Sequence, residues 1–267
     1  MRLRGRRAVV TGASSGIGRQ LALDLAREGA TPVLLARRAD LLERLREEIA
    51  EAGGEAEVFP CDVSDNERVR ETAGAILAAG PVDILINNAG FGFAGPLLRS
   101  GPEEIERLTR TNYLGAVYGI FAFAPPMKRR RSGHIVNVAS VAGLIPPPFL
   151  GAYAASKFAL VAMSRALRHE LAPFRVGVST ICPGTVETPF FDTHPSLRKA
   201  ARFRKGPTMT AAQVSRKVLA AIRANRGLVV MPFSLACMVL LARMVPGLLE
   251  AGLAVYARAA TKLYKGD

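Results

Sequence analysis

Thr11-Gly12-Ala13-Ser14-Ser15-Gly16-Ile17-Gly18 decides how the rest of the chain is read. It follows a short apolar run at residues 8–10 and opens a segment, 16–28, whose apolar residues recur at helical spacing. A buried strand that ends in a glycine-rich turn and passes straight into a helix is the start of a β-α-β unit. The alternation continues outward from it. Strands are expected at 32–36, 56–60, 82–86, 134–139, 176–181 and 228–231, and helices at 40–52, 66–79, 103–127, 153–171 and 213–224. Repeated units of this length predict an α/β fold: a doubly wound parallel sheet with helices on both faces, binding ligands beyond the carboxyl ends of its strands.

No linker, repeat or low-complexity tract divides the 267 residues, so a single domain over 1–267 is expected, with 228–267 an apolar extension of it. Cys61, Cys182 and Cys237 form no CxxC, and His134, His169 and His194 are scattered, so no metal site is expected. Unpaired cysteines suit a reducing, cytoplasmic location. The net charge of +14 invites a nucleic-acid or anionic-membrane reading. Only 7 of the 36 basic residues are Lys, however, and the Arg residues are spread along the chain. The dense run Lys128-Arg129-Arg130-Arg131 falls at a predicted helix end, where cations suit the dipole, so no nucleic-acid partner is expected. The basic start, Met1 to Arg7, is followed by too few apolar residues for a signal peptide, and the chain is expected to begin with its first strand.

Glycines at 12, 16 and 18 let a backbone turn tightly and approach a pyrophosphate, with free N–H groups of the following helix, from Ser14, Ser15 and Ile17 onward, facing it. This is the setting of a dinucleotide (Rossmann) site. An acidic residue at the end of the second strand would hold the ribose hydroxyls of NAD, but the strand ends Ala36-Arg37-Arg38. A guanidinium fork there suits a 2′-phosphate, so NADP is expected. Arg37 is the first candidate, Arg38 the second, and Ser14 a further phosphate ligand.

Tyr153-Ala154-Ala155-Ser156-Lys157 puts a phenol and an ammonium four residues apart on one helix face. A free phenol has a pKa of about 10, too high for easy proton transfer at neutral pH. An ammonium at ~4 Å in an effective dielectric near 20 is worth about 4 kcal/mol, or roughly three pKa units. Lys157 is therefore expected to lower the Tyr153 pKa, with Tyr153 the acid/base at a substrate oxygen.

The TGxxxGxG spacing, Asn87-Asn88-Ala89-Gly90 after the fourth strand, and the YxxxK pair together resemble the short-chain dehydrogenase/reductase family, in order along the chain from Thr11 to Thr188. The resemblance implies hydride transfer, from the pro-S side, between NADP(H) and a carbonyl or secondary alcohol. It implies an adenine contact through Asp62 and the Val63 N–H, and support of the sheet and the adenosine side by Asn88, Ala89 and Gly90. Ser140, thirteen residues before Tyr153, would hold the substrate oxygen. Asn112 would distort its helix around a water that links Lys157 to solvent. Pro183-Gly184-Thr185-Val186-Glu187-Thr188 matches the family's PGxxxT, whose Val186 backbone and Thr188 hydroxyl would hold the nicotinamide carboxamide. A homodimer or homotetramer is implied as well.

The expected pocket walls are apolar: Phe91, Phe93, residues 144–149 and Phe190-Phe191, the last opening a lid that runs to about residue 207. A lipophilic substrate is expected. The C-terminus departs from the commonest family pattern, since residues 227–242 carry no charge and a second apolar stretch follows Arg243. Two readings stand for it: helices packed over the pocket or a partner subunit, the favoured one, or an interfacial segment with Arg243, Arg258, Lys262 and Lys265 snorkelling to give peripheral membrane contact. The competing functions are a catalytically idle NADP-binding regulator and a basic membrane adaptor. The first predicts a damaged Asn-Ser-Tyr-Lys set, and all four residues are present.

Overall fold

Val9 and Val10, both fully buried, are neighbours on one strand, and each meets a different layer of helices. Side chains alternate across a strand, so a strand apolar at both positions must be covered on both faces. The computed structural model describes residues 1–192, 194–201 and 208–261 and is built in that way.

In chain order the elements are β1 (Arg7–Thr11), α1 (Gly16–Arg27), β2 (Thr31–Ala36), α2 (Ala39–Glu51), β3 (Glu57–Pro60), α3 (Asn66–Ala78) and β4 (Ile84–Asn87). Then come α4 (Pro102–Thr109), a π turn (Arg110–Leu114), α5 (Gly115–Arg130), β5 (Gly133–Val138), α6 (Gly151–Leu171) and β6 (Val176–Pro183). The chain continues with β7 (Thr185–Glu187), α7 (Pro195–Ala201), β8 (Thr208–Thr210), α8 (Ala211–Arg223), β9 (Leu228–Met231), α9 (Phe233–Met244) and α10 (Pro246–Thr261). Seven strands form one parallel sheet in the order β3-β2-β1-β4-β5-β6-β9. Ala8, Val10, Leu34, Ile86 and Val136 face α1, α2 and α8, while Val9, Leu35, Leu85 and Ile135 face α3 and α5. The strand order reverses at β1, between β2 and β4, and the crevice of such a sheet opens there.

The doubly wound sheet is the one expected, with differences in detail. β4 starts two residues later than the apolar run suggests, because Asp83 is occupied before it: its carboxylate accepts from Arg6 (3.0 Å) and from the Arg7 N–H (3.2 Å). The long helix expected at 103–127 is α4 and α5 joined by the π turn, which holds Asn112, so the helix is distorted where the resemblance implies. α8 begins at a capping box in which the Thr210 hydroxyl accepts from the Gln213 N–H. The expected lid is flanked by β7 and β8, which pair as a small second sheet, and α7 lies between them. Thr193 and residues 202–207 lie outside the described residues.

Candidate active site

The turn after β1 is held by the strand beside it. Thr11 Oγ1 accepts from the N–H groups of Asn88 (2.9 Å) and Ala89 (3.0 Å), and Asn88 Nδ2 donates to the Thr11 carbonyl (2.9 Å). Gly12 and Gly16 adopt left-handed backbone, φ +67° and +56°. A Cβ on Gly18 would lie on the Gly12 carbonyl oxygen, so the turn closes against the helix start only with glycine there. Ser15, the N-cap of α1, makes no side-chain bond to the helix, which leaves the first N–H groups for a ligand. Ile17 packs against the core below, and Thr188 lies over Gly16. The PGxxxT loop therefore forms the second wall of the same groove. Pro183 ends β6 in register with Met231, the Gly184 N–H donates to the Met231 carbonyl (2.7 Å), and Val186 is buried on β7. A glycine-lined cradle with unbonded helix N–H groups fits a dinucleotide pyrophosphate.

The two arginines after β2 are placed differently. Arg38 lies over the turn, where its Nη2 donates to Ser14 Oγ (2.9 Å) and Ser15 Oγ (3.4 Å). Arg37, 78% exposed in its side chain, stands 3.9 Å from the Asp62 carboxylate. Asp62 also accepts from the N–H (2.9 Å) and hydroxyl (2.8 Å) of Ser64, and Val63 packs against Gly115 at the start of α5.

Tyr153 and Lys157 lie in the first two turns of α6, and Ser140 follows β5. Gly143 brings the Ser140 turn onto α6, since a Cβ on it would be 2.6 Å from the Lys157 carbonyl oxygen. Ser140 accepts from the Ala142 N–H (3.1 Å) and hydrogen-bonds the Tyr153 side chain. Asn112 ties the π turn to the loop after β4: its Oδ1 accepts from the Phe91 N–H (3.0 Å) and its Nδ2 donates to the Phe91 carbonyl (2.9 Å). Gly90 fits beside Asn112 Oδ1 and Lys157 Nζ. All four expected catalytic residues thus meet at the carboxyl edge of the sheet.

The electrostatics correct one expectation. The Tyr153 pKa is raised, not lowered as expected. Lys157 Nζ donates to the Val138 carbonyl (3.0 Å) and stands 5.9 Å from the Tyr153 ring centre. Burial therefore dominates at both groups. It pushes the phenol up to about 12, against the Ser140 hydrogen bond, and the ammonium down to about 8.

Further contacts of the site run through Ser156, Cys182, Asn137 and Ser164, which are not among the expected site residues. The Ser156 hydroxyl donates to the Tyr153 carbonyl (2.7 Å) and accepts from Asn112 Nδ2 (3.2 Å). The signal was present, as a small hydroxyl between Tyr153 and Lys157. Cys182 lies buried beside Lys157, its thiol pushed up to about 12 by burial. Under the sheet, Asn87 Nδ2 donates to Asn137 Oδ1 (2.8 Å), and Asn137 Nδ2 to Ser164 Oγ (2.8 Å). Of the expected apolar walls, Phe190 lies 5.8 Å from the Tyr153 ring and 5.4 Å from Phe191. Phe93 and Ile145 are core residues, and Phe91 lies under Arg107.

Known proteins carry the same design. The chain is 41% identical over 187 residues to dehydrogenase/reductase SDR family member 7B of Bos taurus, covering 67% of this chain and 58% of the relative. It is 37% identical over 190 residues to a fatty acyl-CoA reductase of Acinetobacter baylyi, covering 70% and 64%. It thus spans about three fifths of the length of these curated relatives. Among solved structures, a short-chain dehydrogenase/reductase from Burkholderia phymatum in complex with NAD superposes with a TM-score of 0.86 at 33% identity, over 93% of this chain and 96% of that one. A metagenomic short-chain oxidoreductase in complex with NADP superposes with a TM-score of 0.74, also at 33% identity, over 86% and 98%. The family profile for short chain dehydrogenases matches residues 6–198, the stretch that contains every motif of the groove, and the chain belongs to the short-chain dehydrogenase/reductase family of oxidoreductases.

Proposed function

We propose that this chain is an NADP(H)-dependent oxidoreductase that moves a hydride between the nicotinamide and the carbonyl or secondary alcohol carbon of a lipophilic substrate. The observation that carries the reading is the meeting of Tyr153, Ser140, Lys157 and Asn112 beside a groove whose floor is the glycine turn. The nicotinamide supplies the hydride, and the chain positions it and manages the proton. With a pKa near 12, Tyr153 keeps its proton at neutral pH, the form that donates to a carbonyl oxygen. Ser140, bonded to it, holds the same oxygen. Lys157, near 8, is mostly cationic at neutral pH and sits where it favours negative charge on the oxygen side. Asn112 holds the Phe91 backbone and so sets one wall of the site.

Gly12, Gly16, Gly18 and the Ser14–Ile17 backbone would take the pyrophosphate, and Asp62 and Val63 the adenine. Asn88, Ala89 and Gly90 would line the ribose side, and Gly184, Val186 and Thr188 the carboxamide. The NADP preference is supported by Arg38 lying over Ser14 and Ser15 with Arg37 beside it, and by the lack of a carboxylate at residues 36–38. Between the two candidates the geometry favours Arg38, which already spans the turn. Phe190 and Phe191 against Tyr153, and the likeness to a fatty acyl-CoA reductase, support a lipophilic substrate.

Arg38→Ala tests the cofactor part. Losing a charge-assisted phosphate bond should weaken NADPH about 10- to 100-fold and NADH less than about threefold. Equal weakening of both would leave Arg38 a structural residue. Ketones of rising chain length, followed by NADPH absorbance, test the substrate part. kcat/KM should climb with chain length, and a flat series would count against a lipophilic substrate.

A further inference from the structure

α9 and α10 expose what helices of a folded chain ordinarily cover. Val239 is buried, and Leu235 of α9 presses on Gly184, so α9 is seated on the loop that ends β6. Its other side turns Phe233 (82% exposed), Leu240, Leu241 and Met244 (72%) outward, and α10 adds Leu248 and Val255 (66%). A surface helix normally carries polar residues there. From 227 to 261 the charged residues are Arg243, Glu250 and Arg258 alone, with Lys262 and Lys265 next along the chain. Two contiguous helices with outward apolar faces form a patch of the sort that marks an interaction surface.

We infer that this helix pair docks the protein on an anionic lipid bilayer. Three observations choose a bilayer over other occupants. The first is length: α9, of 12 residues, and α10, of 16, extend about 18 and 24 Å, short of the ~30 Å hydrocarbon core. Among the described residues no single helix is long and apolar enough to cross a membrane; the pair together is, by length and composition, but it is bent by 117° and so is not one straight span. Such helices lie in an interface rather than span it. The second is charge. A chain of net charge +14 is drawn to an anionic surface. The third is the placing of Arg243 and Arg258, whose long stems let their charges reach headgroups while neighbouring apolar side chains sink. Because α9 rests on Gly184, docking brings the groove to the lipid surface, where a lipophilic substrate is held. The docking inference itself rests on the exposed helices and not on the reading of the substrate.

The test uses the full chain and vesicles pelleted by centrifugation, of phosphatidylcholine alone or with phosphatidylglycerol. The protein should pellet with the anionic vesicles, with a bound fraction that falls as salt rises but does not vanish. A variant with Leu240→Glu, Met244→Glu, Leu248→Glu and Val255→Glu replaces only exposed side chains, so its fold and NADPH affinity should stay unchanged. Its vesicle affinity should fall at least about tenfold. A full-length protein that stays in the supernatant at low salt overturns the inference. So does a sedimentation-velocity result in which the parent is a dimer, the variant a monomer, and neither binds vesicles, since a second copy then covers the face. NADPH binding and turnover of a short, water-soluble ketone are measured alongside, so a failure of docking is told apart from a failure of the enzymatic reading.

Discussion

Both ends of the sheet bury titratable side chains, and they treat them differently. Toward the amino ends of β5 and β6, the buried groups bond one another and the backbone around them. His134 Nε2 bonds Ser179 Oγ (2.9 Å), which donates to the Arg226 carbonyl (2.6 Å). Arg168 spans the Val178 carbonyl (2.6 Å) and the carbonyl and side chain of Asn225 (2.7 and 3.1 Å). At the carboxyl ends, the partly buried Tyr153 phenol bonds Ser140 and the buried Lys157 ammonium bonds the Val138 carbonyl, and among the described residues each keeps spare bonding capacity. Burial shifts the pKa of His134, Tyr153 and Lys157 alike. What separates a structural polar cluster from a reactive one in this molecule is unused valence facing a groove, not the size of a shift.

The largest expected effect breaks the reactive end alone. Tyr153→Phe keeps the ring that packs against Phe190 and removes the proton carrier. Turnover should fall by roughly 10²–10⁴-fold, with NADPH affinity and melting temperature close to the parent's. Steady-state kinetics beside a binding titration checks it, and activity within a few-fold of the parent would refute the assignment. Gly18→Ala strikes the frame that holds the groove. Its Cβ would overlap the Gly12 carbonyl, so the turn must open at a cost of about 3 kcal/mol, with most NADPH affinity lost. Denaturant unfolding with and without cofactor reads both, and a variant as stable and as tightly binding as the parent would mean that the turn has slack.

The third prediction concerns the structural end. Burial, with Arg168 nearby, holds the His134 pKa at about 4, against about 6.5 for an unfolded chain. Between those values the unfolded state binds more protons. Stability is thus full above pH 6.5 and is lost as pH falls toward 4, by about 3 kcal/mol in all. His134→Gln, which keeps a hydrogen-bond donor, should flatten this part of the profile and leave kcat at neutral pH unchanged. A variant profile as steep as the parent's would place the acid sensitivity elsewhere.

The legible parts of this molecule are those in which neighbours in sequence are neighbours in space. The glycine turn, the arginines after β2 and the Tyr153–Lys157 pair each sit in one loop or one helical turn. The order of such pieces along the chain was enough to reach the sheet and the groove. What was missed depends on distant segments. The carbonyl that Lys157 bonds belongs to Val138, on another element. Asn137 and Ser164 meet only because β5 lies against α6. The β7–β8 pair joins short segments 21 residues or more apart, with no long apolar run to announce it. At the tail, composition showed apolar helices, but periodicity cannot say which faces the rest of the chain leaves uncovered. Leu235 and Leu240 look alike in sequence, yet one lies on Gly184 and the other is exposed.

The π turn at Arg110–Leu114 has a consequence for how such a chain can change over generations. A π turn is an α-helix with one residue added, and the helices on either side keep their phase. Removing one codon there would close the helix into a regular one. Phe123 and Met127 of α5 would stay in the core, but Asn112 would no longer be aimed at the Phe91 loop. A single deletion could thus retire the active site and spare the fold, which gives a lineage a short route from enzyme to inert nucleotide-binding protein.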